Sequence, residues 1–263
     1  MNIFNLPDPR YEQLIPVTLN TMEIPRIIHQ AYFVRKGDNL PDELANNIAS
    51  LKALNPDWEY RYYDDNDMRS FIQKEYPGIL VYYDRITEGY GAARADLFRY
   101  LLLFQCGGVY LDIKSTILRP LSSTISQVDG FLLSNWSEWN EGCPLDDYCG
   151  QHRELSKISG GEYLQWFIVA APGHPYLKAV ITQVLKNIDN YQPDLDGVGK
   201  MGVLRVTGPI AFTLAIEPCR KKYPVQLRRC REEFGFEYSI FGREFSHKNL
   251  FKTIPVQDRF LKY

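Results

Sequence analysis

The residues best suited to do chemistry lie in one stretch, Gly89 to Ser115 (GYGAARADLFRYLLLFQCGGVYLDIKS). Asp112 and Lys114 end an apolar run, Val109 to Leu111, that Gly107-Gly108 introduces. On a strand, residues two apart share a face and their α-carbons lie about 6.5 Å apart, so one diphosphate or metal-diphosphate can touch both. A surface ion pair is the plainer reading, yet a solvated pair has no need of the buried run before it. Asp96 and Arg99 stand at i and i+3 of the preceding helix. They either pair with each other or flank a cleft, where a carboxylate accepts sugar hydroxyls and a guanidinium fork binds sugar or phosphate oxygens.

Other patterns carry less. Gly197, Gly199 and Gly202 satisfy GxGxxG, with Glu217 where a ribose-binding acid would stand. Polar, proline-containing sequence precedes them and strand-like sequence follows, whereas a phosphate cradle requires strand, turn and helix in that order. Gly89-Tyr90-Gly91 lacks the third glycine, and no Walker A, GxSxG or HExxH motif occurs. His29, His152, His174 and His247 are not at metal-ligand spacing, although His247 is kept as a ligand that the C-terminal part could supply.

These groups need a frame to position them. Ile24 to Gln30 reads as a buried strand with Tyr32 and Phe33 beyond its end, and Leu44, Ile48, Leu51 and Leu54 mark a helix stopped by Asn55-Pro56. Trp58 to Tyr63 resumes strand character, and Asp64-Asp65-Asn66 caps a helix through Phe71 and Ile72. Gly107-Gly108 offers a left-handed cap to the next helix. Tyr163 to Ala171 reads as a strand, Leu177 to Ile188 as an amphipathic helix after Pro175, and Val203 to Val206 as a short strand. Alternating strands and helices predict an α/β fold with a mostly parallel central sheet, whose strands present ligands at their carboxyl ends. That rim holds His29 to Phe33, Asp64 to Asn66 and Asp112 to Ser115. Residues 1–23 form a lead-in arm and 24–263 a single domain. Within that domain 130–161 is a loop-rich insertion, an acceptor platform or lid, and the C-terminal part is rich in loops and helices.

The chain of 263 residues is 45% hydrophobic and 24% charged, enough for a buried core. Its 30 Lys and Arg against 32 Asp and Glu leave a net charge of -2, which supplies no drive toward nucleic acid. No apolar run approaches the roughly 20 residues of a membrane span. The lead residues lack the pattern of a cleaved signal, and five cysteines without a CxxC pair suit reduced thiols, so a cytoplasmic location is expected. Contact with a membrane is at most peripheral, at its inner face, through Lys221, Lys222, Arg228, Arg229 and Arg231, a run whose commoner reading is a solvated face.

Five blocks in order, IPRIIHQ, WEYRYYDD, ARADLFRYLLLFQCGGVYLDIK, QWFIVAAPGHP and VTGPIAFT, resemble glycosyltransferase family 32, whose sugar-binding region contains the DXD motif. The resemblance implies a GT-A fold, a nucleotide-sugar donor, a glycan or lipid-linked glycan acceptor, a divalent ion (Mn²⁺ or Mg²⁺) and retention of anomeric configuration. It implies surface polysaccharide synthesis as the setting. Carried over by position, Tyr32 falls near the nucleobase, Asp96 and Arg99 on donor sugar and phosphate, and Asp112 on the first acid of DXD. Further substrate contacts are expected from His29, Gln30, Asp64, Arg94, Tyr110, Gln165, Trp166, Thr207 and Gly208. Trp136 and Trp139 stack on acceptor sugars or anchor a loop.

Lys114 departs from the pattern, which has a second Asp there. Either its ammonium neutralises the diphosphate and the metal is dispensable, or Asp112 and His247 hold the ion. A nucleotide-sugar-binding pseudoenzyme is the alternative from another class. A nucleotidyltransferase is more distant, because its glycine- and lysine-rich loop near the first strand is absent.

Overall fold

The computed structural model describes residues 8–19, 21–33, 40–126, 129–136, 150–223, 225, 227–241 and 260–262. Among these, helix α1 (Pro9–Glu12) leads to strand β1 (Ile27–Ala31), α2 (Asp42–Leu54), β2 (Glu59–Tyr63), α3 (Asp65–Glu75), α4 (Leu80–Arg85), α5 (Gly91–Cys106) and β3 (Gly108–Leu111). There follow β4 (Thr116–Ile117), α6 (Leu121–Thr124), β5 (Phe131–Leu132), β6 (Phe167–Ala170), α7 (Pro175–Asp189), α8 (Pro193–Asp196), α9 (Gly199–Val206), α10 (Pro209–Ile216) and β7 (Phe236–Glu237). None of these helices is long and apolar enough to cross a membrane.

Five strands build one sheet in the order β2-β1-β3-β6-β5. Strand β1 is parallel to β2 and β3, while β6 is antiparallel to β3 and β5. Only β6 therefore opposes the others, and the carboxyl ends of β1, β2 and β3 share one rim. The period of two sorts the side chains between two cores. Val109, Leu111, Phe167 and Val169 join Leu51, Trp58 and Phe236 on one face. Tyr110, Ile168 and Ala170 join Leu97, Leu101, Val180 and Val184 on the other.

Local chemistry sets the element ends. Asp64 accepts from the Asp67 amide at 2.9 Å while the Asp67 carboxylate accepts from the Asp64 amide at 3.1 Å, a reciprocal cap that starts α3 directly after β2. Helix α5 is buried from Ala93 to Phe104, because it lies between the sheet and α7 with no solvent face along that stretch. Its exit to β3 needs glycine twice. Gly107 has φ +63° and Gly108 φ +102°, and a Cβ on Gly108 would lie 2.6 Å from the Ile27 carbonyl oxygen. A small antiparallel pair, β4 with β7, brings the C-terminal third back beside the turn that follows β3.

The structure departs from expectation at four places. Val203 to Val206 is the end of helix α9, where Val206 packs into the α5 core, so β-branched character yields to packing. Strand β6 begins at Phe167, leaving Gln165 and Trp166 ahead of it. The expected insertion opens with β5, an edge strand of the main sheet, and its residues 137–149, including Trp139, lie outside the described residues. The lead-in arm contains α1 and buries Tyr11 and Ile15 against the domain.

Candidate functional site

Four elements converge where β3 ends. Helix α5 supplies Asp96 and Arg99, the turn after β3 supplies Asp112, the segment before β6 supplies Gln165, and the end of α9 supplies Thr207. Arg99 lies at the centre, with Nη2 3.2 Å from Asp96 Oδ1 and Nη1 3.0 Å from Asp112 Oδ1. Nη1 also donates to the Gln165 carbonyl at 2.8 Å, Nε to the Ala95 carbonyl at 3.3 Å, and the guanidinium lies 4.6 Å from the Tyr110 ring centroid. Asp96 is satisfied from the other side by Gln165 Nε2 at 3.1 Å and Thr207 Oγ1 at 2.9 Å. Tyr100 donates to the Thr207 carbonyl at 2.9 Å and ties α5 to α9.

Burial of this kind is costly unless every lone pair and proton is used, and here the groups complete one another. Burial raises the Asp96 carboxyl above its ordinary value, against the opposing pull of Arg99, Gln165 and Thr207. For Arg99, burial works against the charge, but Tyr110, Asp112 and Asp96 outweigh it and the guanidinium stays protonated. The side chains of Asp96 and Arg99 are 3% and 5% exposed, whereas that of Asp112 is 26% exposed. Asp112 is therefore the member of the chain of charges that a ligand can reach.

Asp112 is also pinned through its backbone. Its amide donates to the Trp166 carbonyl at 2.7 Å, and its carbonyl accepts from the Ser115 amide at 2.8 Å and from Gln30 Nε2 at 3.2 Å. Gln30 is oriented in turn by Tyr60, whose hydroxyl donates to Oε1 at 2.8 Å. Asp112 and Lys114 thus lie in a turn and not on a strand face, and they do not pair with each other. Lys114 Nζ instead donates to the Tyr238 hydroxyl at 2.8 Å and sits 4.2 Å from that ring's centroid. Ser115 Oγ donates to the Tyr238 carbonyl at 2.8 Å, and the Ile240 amide donates to the Lys114 carbonyl at 2.9 Å. Trp136 and Trp166 set their rings against Tyr238, each with centroids 5.5 Å away. Trp166 Nε1 is buried with no hydrogen-bond partner among the described residues.

Several sequence-assigned contacts have structural work. His29 is internal to β1, with Nε2 3.0 Å from the Gly107 carbonyl oxygen and Nδ1 3.0 Å from the Tyr63 hydroxyl, and burial pushes its pKa down to about 4. Asp64 caps α3. Arg94 is buried, donates to the Ile86 carbonyl at 3.2 Å and lies over the Tyr83 ring. Tyr110 is buried under Arg99. Gly208 is the N-cap of α10, its amide donating to the Val203 carbonyl at 2.8 Å. Tyr32 stands half-buried just past β1, its amide donating to the Tyr63 carbonyl at 3.1 Å. Trp136 is buried and donates to Glu162 at 2.8 Å, which makes it a loop anchor. A separate cleft of about 330 Å³, lined by Glu154, Asn187, Arg205, Ile210 and Leu214, contains none of the charged cluster.

Sequence reasoning placed Ser115 on the rim without its role in pinning the turn, and missed Tyr238 and Tyr60, which hold Lys114 and Gln30. Tyr238 lies 124 residues from Lys114, and no local pattern joins them. Among the described residues the donor set also does not suit a divalent ion. Among the described residues no cluster of three His, Cys, Asp or Glu can hold a metal. Asp112 offers one carboxylate, already engaged by Arg99, and a cation stands two residues on. His247 lies outside the described residues.

Comparison with known proteins agrees with this geometry. Residues 41–131 match the family model described as glycosyltransferase sugar-binding region containing DXD motif, a span that includes Asp96, Arg99, Asp112 and Lys114. Inositol phosphoceramide mannosyltransferase 3 of Schizosaccharomyces pombe is 29% identical over 198 residues, covering 75% of this chain and 46% of the relative. The initiation-specific alpha-1,6-mannosyltransferase of Saccharomyces cerevisiae is 26% identical, covering 61% of this chain and 39% of the relative. The chain thus spans about half the length, or less, of these curated relatives. Among solved structures, the PaToxG glycosyltransferase superposes with a TM-score of 0.53 at 16% identity, covering 77% of this chain and 70% of that one. The UDP-bound glycosyltransferase domain of the YGT toxin gives 0.51 at 10% identity, covering 86% and 83%. The fold is GT-A, and residues 41–131 are similar to the glycosyltransferase sugar-binding region containing DXD motif.

Proposed function

We propose that the protein transfers a sugar from a nucleoside-diphosphate sugar to an acceptor hydroxyl, with retention at the anomeric carbon. The observation that carries this reading is the Asp96–Arg99–Asp112 chain of ion pairs, buried except at Asp112 and opening on the rim where β1, β2 and β3 end. The reaction breaks the bond from the anomeric carbon to a diphosphate oxygen, so positive charge grows on the sugar and negative charge on the leaving group. A pre-set array of fixed charges lowers that barrier because nothing must reorganise as charge develops. Every nitrogen of Arg99 is engaged by a protein atom, which makes it a positioning residue for Asp112 and Asp96. The groups left to meet the donor are the Asp112 carboxylate and the Lys114 ammonium. Among the described residues Asp112 makes no hydrogen bond to a His or a second carboxylate, and Asp96, the carboxylate coupled to it through Arg99, is buried. Attack beside the departing diphosphate accommodates that: the acceptor oxygen bonds to the anomeric carbon, and its proton passes to the leaving phosphate oxygen.

The acceptor belongs to the glycan or lipid-linked glycan class, a choice supported by relatives named for mannosyl transfer to inositol phosphoceramide and for initiating alpha-1,6-mannosyl transfer. Surface glycan synthesis at the cytoplasmic side of a membrane is the setting in which such an acceptor is met. A panel of UDP- and GDP-sugars, with hydrolysis and transfer followed by nucleotide release, tests the reading. One donor should turn over, and Asp112→Asn should lower its rate by at least about 100-fold. Binding of a nucleotide without turnover of any donor and acceptor would favour the pseudoenzyme reading, which Lys114 motivates.

A further inference from the structure

Replacing a carboxylate by an ammonium changes local charge by two, the charge of one divalent ion. Asp96 and Asp112 carry two negative charges, and Arg99 and Lys114 two positive ones. The cluster is therefore neutral as it stands. With a carboxylate at 114 it would carry two negative charges, the deficit that a divalent cation fills. With Lys114, a divalent ion would arrive at a neutral site, beside an ammonium, with one carboxylate to receive it.

The lysine is also held in place. Its Nζ donates to the Tyr238 hydroxyl at 2.8 Å, and Tyr238 is clamped by Ser115 Oγ on its carbonyl and by the rings of Trp136 and Trp166. An ammonium carries three donors, and no carboxylate among the described residues lies within ion-pair distance of this one. A lysine retained as the partner of Asp112 would lie against it, but that position is taken by Arg99 at 3.0 Å. The remaining donors of Lys114 are left for an anion at the rim.

We propose that the Lys114 ammonium, held by Tyr238, is the cation that binds the donor's diphosphate, and that this chain takes up a nucleoside diphosphate without a divalent ion. The inference rests on the reading that the rim accepts a nucleoside-diphosphate sugar. Isothermal titration of UDP and of GDP into the intact protein, with EDTA and again with excess Mn²⁺, tests it apart from turnover. The bound nucleotide should show affinities within about threefold of each other in the two conditions. Lys114→Met should weaken it at least about tenfold in EDTA, the loss expected for one charge-assisted hydrogen bond, while Lys114→Arg retains most of it. Lys114→Asp should bind poorly in EDTA and recover with Mn²⁺. Thermal melts confirm folding of each variant, which the half-exposed position of Lys114 favours. Wild-type binding that appears only with Mn²⁺, or a Lys114→Met affinity equal to wild type, overturns the inference and leaves the donor-site reading standing. Binding of neither nucleotide in either condition removes the donor-site reading and this inference with it.

Discussion

Thr207→Val removes one atom's worth of chemistry from the buried cluster while keeping its shape. Thr207 is fully buried, and its Oγ1 lies 2.9 Å from Asp96 Oδ2, the carboxylate oxygen that Arg99 and Gln165 do not reach. Valine leaves that oxygen desolvated and unpaired, which costs about 1.5–3 kcal/mol for a hydrogen bond to a charged group. Thr207→Ser retains the hydroxyl and loses one methyl, about 0.8 kcal/mol. Urea unfolding at pH 7.5 should resolve the two, with midpoints falling at unchanged m. A pH series separates the hydrogen bond from mere packing. Burial already raises the Asp96 carboxyl, and Thr207 opposes that rise, so the valine variant lifts it further. A raised folded pKa means that the ionised form costs stability as pH climbs through that value. The valine deficit should therefore be largest near neutral pH and shrink below about pH 4, where the carboxyl is protonated in both folded and unfolded chains. Equal losses for Val and Ser, or a valine deficit constant between pH 7.5 and 4, would refute the assignment of Thr207 as a partner of ionised Asp96.

Other outcomes follow from single contacts. The ring protons of His29 should not titrate between pH 8 and 5 by NMR, because burial holds its pKa near 4. Stability tied to neutral His29 is complete above about pH 6.5 and drains away as pH falls toward 4, visible as a declining urea midpoint. Asp65 has a buried Oδ1 without a partner and a pKa raised by burial to about 6, so Asp65→Asn should gain up to about 1 kcal/mol at pH 7.5 and nothing at pH 4, a figure discounted because the group is half exposed. Gly108→Ala should cost about 2 kcal/mol or more by thermal melting, since its φ of +102° and the 2.6 Å approach to the Ile27 oxygen leave no room for a methyl. Tyr238→Phe removes the hydroxyl that holds Lys114 and should weaken nucleotide binding a few-fold without unfolding the protein, because the ring contacts with Trp136 and Trp166 remain.

The frame was legible where local chemistry decides it. The Asp64 cap, the Gly107-Gly108 corner and the alternation of Val109 and Leu111 with Tyr110 are short-range signals, and each appears where its residues imply. Asp96, Arg99 and Asp112 were legible as a set because helix α5 and the turn that directly follows β3 carry them. Their roles were less so. Arg99 reads either as the partner of Asp96 or as a ligand contact, and its committed Nε, Nη1 and Nη2 show a scaffold that includes the Asp96 pair. His29 reads as a rim residue until β1 is seen to continue to Ala31, which places the imidazole inside the sheet. Val203 to Val206 reads as a strand from β-branching, but burial of Val206 beside α5 and delivery of Thr207 to Asp96 are long-range demands that local propensity does not encode.

The division of labour within the cluster explains how the DXD pattern tolerates a lysine. Asp112 does not depend on residue 114 for its position: Arg99 holds its carboxylate, and Trp166, Ser115 and Gln30 hold its backbone. A change at 114 therefore alters the charge offered to a ligand and not the geometry of the first acid. The compensation lies elsewhere in the chain, in Tyr238, which the β4–β7 pair delivers to the turn. Lysine alone, on a flexible four-carbon stem, would be a mobile charge with considerable rotamer entropy to lose on binding. Anchored to a tyrosine that two tryptophans and a serine immobilise, it has part of that entropy removed before any ligand arrives. The C-terminal third thus reaches the turn after β3 through Tyr238, and, on the proposed role of Lys114, separating β7 from β4 should weaken nucleotide binding.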